Sequence, residues 1–283
     1  MTAVAEQAVI TEPGVYDIPE ADYHADPVPG GSLSSSGARK LLPPSCPARF
    51  RYEQDHPVHK DVFDFGTAAH RMVLGTGPEI VIVDADDWRT KAAKEAQAEA
   101  RQAGKCPLLI ADWARVADMA QALRTHPLAS ALLCREDVQT EQSLFWQDDD
   151  SGIWRRARLD AARRGGRLLI SDYKTARSAE PGQFARSAAS YGYHQQAAWY
   201  LDAVAAVLGE DAAFLFVVQE KEPPYLVTVC ELDGPALEAG RARNRQAIER
   251  YRDCCEAGVW PGYSTDIELI SLPPWAARTE EYL

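Results

Sequence analysis

Two acids and a lysine near the middle of this 283-residue chain have the types and spacing needed to hydrolyse a phosphodiester. Asp172 and Lys174 flank Tyr173 at the end of an apolar run. Because side chains alternate along a strand, Asp172 and Lys174 are expected on one face and Tyr173 on the other. Asp160 precedes them, with a Gly165-Gly166 turn between. A hairpin would therefore bring Asp160 beside Asp172 and Lys174.

The predicted chemistry depends on a hard cation. Mg²⁺ takes oxygen ligands and keeps several waters, so Asp160, Asp172 and the backbone carbonyl of Tyr173 could supply one side of its shell. The metal would lower the pKa of a bound water and neutralise charge on the phosphate. Lys174 could orient or deprotonate the attacking water, or stabilise the developing charge.

The Asp-x-Lys pattern alone is weak, because it occurs by chance and often forms a surface ion pair worth about 0–1 kcal/mol. Here it follows a buried-type apolar run, a second acid lies upstream, and a helix with a polar face follows. On that helix Gln196 and Tyr200 are four residues apart and therefore share a face. A role in the site and a role in packing weigh equally for these two residues.

The elements predicted around these residues give an α/β fold with a mixed, partly antiparallel sheet of about five strands flanked by helices. The strands are expected at 142–146, 153–160, 167–175, 212–219 and 224–232, with a further short strand at 79–83. Helices are expected at 34–42, 63–74, 86–103, 112–133, 181–208 and 235–258. One domain would span 1–283, with a mainly helical part at 1–140 after an irregular lead-in, an αβ core at 141–258 and a loop-rich tail at 259–283 packed over the core.

Charge and cysteine usage restrict the function classes. The net charge of −12 argues against non-specific nucleic-acid binding. Arginines nevertheless cluster around the central acids, and an acidic shell with a basic channel would fit both facts; solvated hairpin arginines are the alternative. No Cys-x-x-Cys pair is present, so neither a zinc site nor a disulfide framework is predicted. The DNA-contacting candidates are Arg156, Arg158, Arg163 and Arg164.

No apolar run is long enough to span a bilayer, and the first residues lack the features of a secretory signal. No membrane partner is expected, and a cytosolic protein is the default. His70 lies within the predicted helix at 63–74. From its spacing alone it is interpreted as a core histidine, because a lone helical histidine is rarely a ligand and Mg²⁺ prefers oxygen.

Taken together, these residues resemble the PD-(D/E)XK superfamily, with its restriction-endonuclease-like core, and within it the RecB-like exonucleases. The sequence is most similar to the RecE-type exonucleases (exodeoxyribonuclease VIII) of phages and prophages. The resemblance covers nearly the whole chain in order. Its matching segments are Asp22-Tyr23-His24, Leu33-Ser34, Cys46-Pro47-Ala48, Phe65-Gly66-Thr67-Ala68-Ala69-His70, Arg158-Leu159-Asp160, Asp172-Tyr173-Lys174-Thr175, Tyr193-His194-Gln195-Gln196-Ala197-Ala198-Trp199-Tyr200 and Pro273-Pro274-Trp275.

The resemblance implies a role for each matched position. His70 would be a metal ligand, Asp160 and Asp172 the metal carboxylates, and Lys174 the catalytic lysine. Gln196 and Tyr200 match the family's Gln-x-x-x-Tyr motif beside the site. Glu141 matches an acid placed near the metals in some relatives, with its register left open. Cys46, Cys254 and Cys255 depart from the spacing that holds an iron–sulfur cluster in other relatives, so no cluster is expected.

The activity implied by the resemblance is Mg²⁺-dependent exonucleolytic hydrolysis of linear double-stranded DNA, with Mn²⁺ able to replace Mg²⁺. It would run 5′ to 3′, leave a 3′ overhang, and act in recombination with a single-strand annealing protein. Relatives of this kind form homo-oligomeric rings around DNA, and the location would be the cytoplasm of a bacterial host or phage-infected cell. No Gly-x-x-x-x-Gly-Lys-[Ser/Thr] loop is present, so a stand-alone nuclease is expected rather than a helicase-nuclease.

Two other functions remain open. A structure-specific endonuclease or a repair nuclease would use the same fold and the same residues on another substrate. A catalytically inactive DNA-binding protein is the third reading, against which the intact set of Asp160, Asp172 and Lys174 argues.

Overall fold

A seven-stranded mixed sheet forms the centre of the protein in the computed structural model, which describes residues 8–56 and 62–273. Its strands are β1 (Gly14–Tyr16), β2 (Leu33–Ser34), β5 (Val138–Gln147), β6 (Trp154–Gly165), β7 (Arg167–Ala176), β8 (Ala212–Glu220) and β9 (Val227–Glu231). Their spatial order is β1, β5, β6, β7, β8, β9, with β2 also paired to β6. Neighbours are antiparallel except for the parallel pairs β7–β8 and β2–β6.

A separate parallel pair, β3 (Ile80–Val83) and β4 (Cys106–Leu109), lies beside the main sheet. The helices are α1 (Glu20–His24), α2 (Ser35–Lys40), α3 (Pro47–Asp55), α4 (Val62–Leu74), α5 (Lys91–Gln102), α6 (Ile110–Thr125), α7 (Pro127–Leu133), α8 (Pro181–Tyr191), α9 (Tyr193–Leu208) and α10 (Gly234–Ala257). Within the described ranges, none of these helices combines the length and apolar character required to cross a bilayer.

Helices cover both faces of the sheet, and side chains along each strand alternate between the two cores that these helices form. On one side, α2, α9 and α10 pack over a core that includes Trp199 and Phe216, both fully buried. On the other side, α4, α6 and α7 cover Tyr173 and Val217. Adjacent residues of β7 and β8 therefore belong to different cores, as the period of two requires. Asp172 lies on the α9 side as a result, and Tyr173 on the α4 side.

The sequence-based fold prediction is confirmed: an α/β protein with a mixed sheet flanked by helices. The five predicted strands correspond to β5 to β9. The sheet has two additional strands, β1 and β2, because the segment expected to be an irregular lead-in contributes them together with α1. These strands have only three and two residues, too short for a periodicity of two to show in a sequence.

Two predicted helices are interrupted. The helix expected over 112–133 is α6 and α7, because Pro127 cannot continue a helix and instead begins the second one. The helix expected over 181–208 is α8 and α9, separated by Gly192 in the left-handed conformation. The segment 86–90 is not helical, and α5 begins at Lys91 after the Thr90 cap.

Part of the tail departs from the expectation that it packs over the core. Trp260 does pack, with its ring centroid 5.5 Å from that of Phe50. Beyond it, Ile267 and Leu269 are 102% and 98% exposed. Pro274 and Trp275, which carry part of the family resemblance, lie outside the described residues.

Helices α9 and α10 approach closely enough to require glycine at one position. A Cβ on Gly240 would lie 2.2 Å from the backbone carbonyl oxygen of His194, which cannot move aside as a side chain could. We expect Gly240→Ala to destabilise the protein by about 1–3 kcal/mol by pushing the helices apart. Chemical denaturation measures this loss. Gly234→Ala at the start of α10 is the matched control, since no atom lies within 4 Å of its added Cβ; equal stability of the two variants would contradict the prediction.

Candidate active site

A cleft of about 640 Å³ opens where α1, α2, α4 and α9 meet the central strands. Asp160 lies in its lining, with Gln196 and Tyr200 of α9 on one side and His70 of α4 on another. The further polar or aromatic lining residues include Glu20, Tyr23, His24, Ser35, Arg39, Glu141, Arg158 and Tyr193. Segments between Glu20 and Lys221 therefore meet around Asp160, one of the acids that the sequence singled out.

Asp172 and Lys174 form an ion pair beside this cleft, in which the carboxylate is buried and the lysine is half-buried. Lys174 Nζ lies 2.6 Å from Asp172 Oδ2, and the side chain of Asp172 is 1% exposed. Among the described residues Oδ2 has no further partner, so this oxygen keeps acceptor capacity. Burial lowers the pKa of Lys174, but Asp172 and Asp160 outweigh it and the net shift is upward. Lys174 is thus an ammonium at neutral pH.

Asp160 lies beside this pair, across the hairpin that the Gly165-Gly166 turn predicts. The β6–β7 ladder runs from Gly165–Arg167 to Ala161–Ser171, one step short of Asp160. The carboxylate Oδ2 of Asp160 instead accepts a hydrogen bond of 3.0 Å from the backbone N–H of Tyr173. Burial, and then the charge of Asp172, raise the pKa of Asp160 well above its usual range. The carboxyl groups of Asp160 and Asp172 are therefore held close together, and the single positive charge of Lys174 is too little to neutralise both.

His70 faces Asp160 from α4. Its Nδ1 lies 3.6 Å from Asp160 Oδ2, and its ring centroid lies 5.1 Å from that of Tyr173. Burial, and then the charge of Lys174, lower the pKa of His70 to about 4. The imidazole is therefore neutral at pH 7, which is the state in which a histidine binds a metal. From its spacing alone His70 is interpreted as a core histidine, but in the structure it lines the cleft.

Gln196 and Tyr200 share the face of α9 that is directed at the acids, as their spacing predicts. Gln196 Nε2 donates a hydrogen bond of 2.5 Å to Asp172 Oδ1. Its own amide oxygen is buried without a hydrogen-bond partner among the described residues. Burial raises the pKa of Tyr200 well above its usual range, so the phenol stays protonated. The amide holds the carboxylate of Asp172 rather than Lys174.

Glu141 has a backbone conformation that the sequence does not reveal. The β5–β6 ladder is paired on both sides of it, at Thr140–Ala161 and Gln142–Leu159, while Glu141 itself has φ +58°. Left-handed conformations of non-glycine residues are strained and concentrate at functional sites. Glu141 Oε2 accepts a 2.6 Å hydrogen bond from Arg158 Nε in the cleft, and its charge contributes to the raised pKa of Asp160.

The four arginines predicted to contact DNA each have a carboxylate partner in this chain. Arg156 is buried and lies 2.6 Å from Asp26, and Arg158 pairs with Glu141. The guanidinium groups of Arg163 and Arg164 pair with Asp137 and Glu210 respectively. Of the four, Arg158 lines the cleft. Their contact with DNA stays a prediction.

Sequence reasoning did not assign Tyr193 to the site, and the residue does pack against the core on the α9 side. It lines the cleft, and Lys174 Nζ lies 5.1 Å from its ring centroid, within cation–π range. Its position three residues before Gln196 on the same helix is the signal that could have indicated it. Glu20 also lines the cleft, from a helix too short to show a periodicity.

A divalent metal suits this set of residues, although the described chain contains no preformed group of three metal-ligating side chains. Asp160 and Asp172 offer hard carboxylate oxygens with a shortage of positive charge, and among the described residues Asp172 Oδ2 has no partner besides the Lys174 ammonium. Oxygen ligands of this kind are those that Mg²⁺ and Mn²⁺ prefer. The neutral ring of His70 lies next to the same oxygens.

Comparison with known proteins adds a family and a fold. Residues 34–273 match the family model described as "PDDEXK-like domain of unknown function (DUF3799)". A crystal structure from Eubacterium rectale, named "Putative exonuclease", superposes with a TM-score of 0.62 at 12% identity, covering 91% of this chain and 96% of that one. The crystal structure of SSO0001 covers 80% of this chain and 76% of its own, at 14% identity and a TM-score of only 0.35. No curated protein matches the sequence.

Proposed function

Because the chain belongs to this family of PDDEXK-like domains, we propose that it is a metal-dependent exodeoxyribonuclease that hydrolyses linear double-stranded DNA. The observation that carries the proposal is the clustering of Asp172 and Lys174 with Asp160, which lines the cleft. The ammonium of Lys174 lies 2.6 Å from Asp172, and the pKa of Asp160 is raised by burial and by Asp172. A phosphodiester hydrolase needs both carboxylates for a cation and a separate positive charge for the phosphate.

Mg²⁺ is the proposed cofactor, with Mn²⁺ able to replace it. Asp160, Asp172 and the backbone carbonyl of Tyr173 would hold the ion, with His70 and Glu141 as further ligands. When bound, the metal supplies an activated water and neutralises charge on the phosphate. The hydrogen bond from Gln196 fixes the orientation of Asp172. The strained backbone of Glu141 turns its carboxylate to Arg158 within the cleft.

Lys174 is proposed as the catalytic cation. Its raised pKa favours the charged form, which can orient the attacking water by donating a hydrogen bond and can stabilise the negative charge that develops on the phosphate. Deprotonation of water by Lys174 is disfavoured in this arrangement because the amine already carries its proton. Tyr200 keeps its phenolic proton and is placed on the same face of α9 to donate to a phosphate oxygen.

Polarity and partners follow from the family resemblance as further parts of the proposal. The enzyme would start at double-stranded ends, degrade 5′ to 3′, leave a 3′ overhang for a single-strand annealing protein, and assemble as a homo-oligomeric ring. A ring would reconcile the net charge of −12 with DNA binding if some of the arginines at 155–167 line its channel. In the cleft itself, Arg39, Arg158 and Lys221 lie together with the acids Glu20, Glu141 and Asp160.

DNA topology tests the proposed function. The purified protein is incubated with Mg²⁺ and either linear duplex or covalently closed circles of the same sequence, and released nucleotides are measured. We expect progressive loss of the linear DNA and intact circles, because an exonuclease requires an end. A nicked circle distinguishes initiation at a nick. Cleavage of closed circles would identify an endonuclease of the same fold, and inertness towards every substrate with Mg²⁺ and Mn²⁺ would indicate a binding protein.

A further inference from the structure

We propose that Tyr191 and Tyr193 form a stacking platform for an unpaired nucleobase of the strand being cleaved, which makes locally single-stranded DNA the form bound at the catalytic cleft. The inference rests on the proposed nuclease function and adds the substrate conformation to it. The platform consists of these two tyrosines, one on each side of the break between α8 and α9.

The two rings lead from solvent into the cleft. Tyr191 is 64% exposed at the end of α8, whereas Tyr193 lines the cleft at the start of α9. Their ring centroids are 5.7 Å apart with planes inclined by 38°. Tyr191 extends the aromatic surface of Tyr193 towards solvent, and its exposed ring offers a π face to a flat ligand. Bases stack on such rings at about 1–3 kcal/mol each, in a sequence-tolerant manner, in proteins that bind single strands.

The platform is preorganised. Gly192 between the tyrosines has φ +68°, and a Cβ on it would lie 2.8 Å from Cδ of Arg39. Arg39 also donates a 2.7 Å hydrogen bond from Nη1 to the carbonyl of Tyr191. From behind, Phe184 and Phe216 support the ring of Tyr193, with centroids at 5.9 and 5.6 Å. The protein side chains therefore need little further ordering when a ligand binds. A preorganised surface lowers the conformational entropy cost of binding.

The platform also lies close to the proposed catalytic residues. Lys174 Nζ lies 5.1 Å from the centroid of Tyr193, on the ring that faces the cleft. Two positive groups lie next to the platform: Arg39, which donates to the Tyr191 carbonyl, and Lys174, which lies over the ring of Tyr193. Either could receive the phosphate of a nucleotide stacked there. In a paired duplex the faces of internal bases are covered by their neighbours. A base that stacks on Tyr191 must therefore lie at a strand end or in a single strand, and an unpaired base is also free to turn its ring onto the tyrosine.

Fluorescence of 2-aminopurine tests this contact directly, without cleavage. Linear duplexes carry 2-aminopurine in an unpaired terminal nucleotide at the 5′ or the 3′ end and are titrated with protein in EDTA. We expect quenching by the wild-type protein and by Tyr191→Phe, which keeps the ring, and little quenching by Tyr191→Ala. Tyr52→Ala is the matched control, because Tyr52 is 62% exposed and its ring stacks on His56 instead. The end that responds reports which strand enters the cleft.

Kinetics with Mg²⁺ provide the second readout. Tyr191→Ala should raise KM for linear DNA by roughly 5- to 100-fold and leave kcat within about 2-fold, with recovery in Tyr191→Phe. Two results would overturn the proposed platform and leave the nuclease proposal intact. One is a Tyr191→Ala variant that quenches fluorescence and has the same KM as the wild type. The other is a Tyr191→Phe variant that is as impaired as Tyr191→Ala. A wild-type protein that quenches through Tyr191 but never hydrolyses DNA would instead remove the nuclease proposal and keep the stacking site.

Discussion

Replacing Lys174 with alanine is expected to lower the rate of DNA hydrolysis by about 10³-fold, with DNA binding retained. Its ammonium lies 2.6 Å from Asp172, and the two acids raise its pKa, so in the proposed mechanism it supplies the positive charge that acts on the phosphate. Removal of a single preorganised electrostatic contact of this kind costs about 10²–10³ in kcat. Nucleotide release from linear duplex in Mg²⁺ measures the loss, and filter binding in EDTA measures affinity.

The matched control is Lys91→Ala, which removes a lysine whose side chain is 90% exposed at the start of α5. It should hydrolyse DNA as the wild type does. A folded Lys174→Ala variant that still digests linear DNA at the wild-type rate would show that the catalytic cation is elsewhere. Circular dichroism of both variants separates loss of chemistry from loss of fold.

Asp160→Asn should abolish hydrolysis and yet stabilise the metal-free protein at neutral pH. The pKa of Asp160 in the folded state is raised, chiefly by burial, so the folded protein binds its proton more tightly than the unfolded chain does. Stability is therefore lost as pH rises from the unfolded pKa, about 3.9, towards the folded one. Asparagine carries no charge in either state and retains an oxygen to accept the Tyr173 N–H hydrogen bond.

Thermal unfolding in EDTA at several pH values measures this effect. At pH 7 we expect a higher Tm for Asp160→Asn, by about 2–4 °C for each kcal/mol gained. The difference should vanish at about pH 3, below the unfolded pKa, where the wild-type carboxyl is protonated in both states. Saturating Mg²⁺ should reverse the order, because a ligand stabilises only the protein that binds it. Asp149→Asn, in the exposed β5–β6 turn, is the control; a wild-type protein that is the more stable one in EDTA at pH 7 would contradict the explanation.

The parts of the site that are local in sequence were predictable. The Asp-x-Lys spacing and the alternation of strand side chains place Asp172 and Lys174 together, and the Gln-x-x-x-Tyr spacing directs two side chains of α9 to the same side. The Gly-Gly turn brings Asp160 within reach, as the 3.0 Å bond to Tyr173 shows. Each of these depends on a fixed period or a short connection.

Contacts between distant segments were not predictable. Arg156 meets Asp26, and Arg164 meets Glu210, across separations in sequence that no period reports. The prediction of a basic channel rests on counting arginines, and it does not include the acids that the fold brings to each of them. The strained backbone of Glu141, which lies between two regular ladder pairs, also leaves no pattern in the residue types. Long-range charge pairing and local strain are properties of the folded state.

The position of β7 inside the sheet has a consequence for how the site moves. Asp172, Tyr173 and Lys174 lie on a strand that is hydrogen-bonded to β8 throughout and covered by helices on both faces. Amides in such a strand exchange with solvent only when most of the molecule opens. We therefore expect Asp172 and Lys174 to belong to a slowly exchanging part of the protein, while Tyr191 and the short helix α1 lie at the exposed rim. In the proposed mechanism, adjustment to the substrate would fall to that rim, and the carboxylates and the lysine would keep their distances from one turnover to the next.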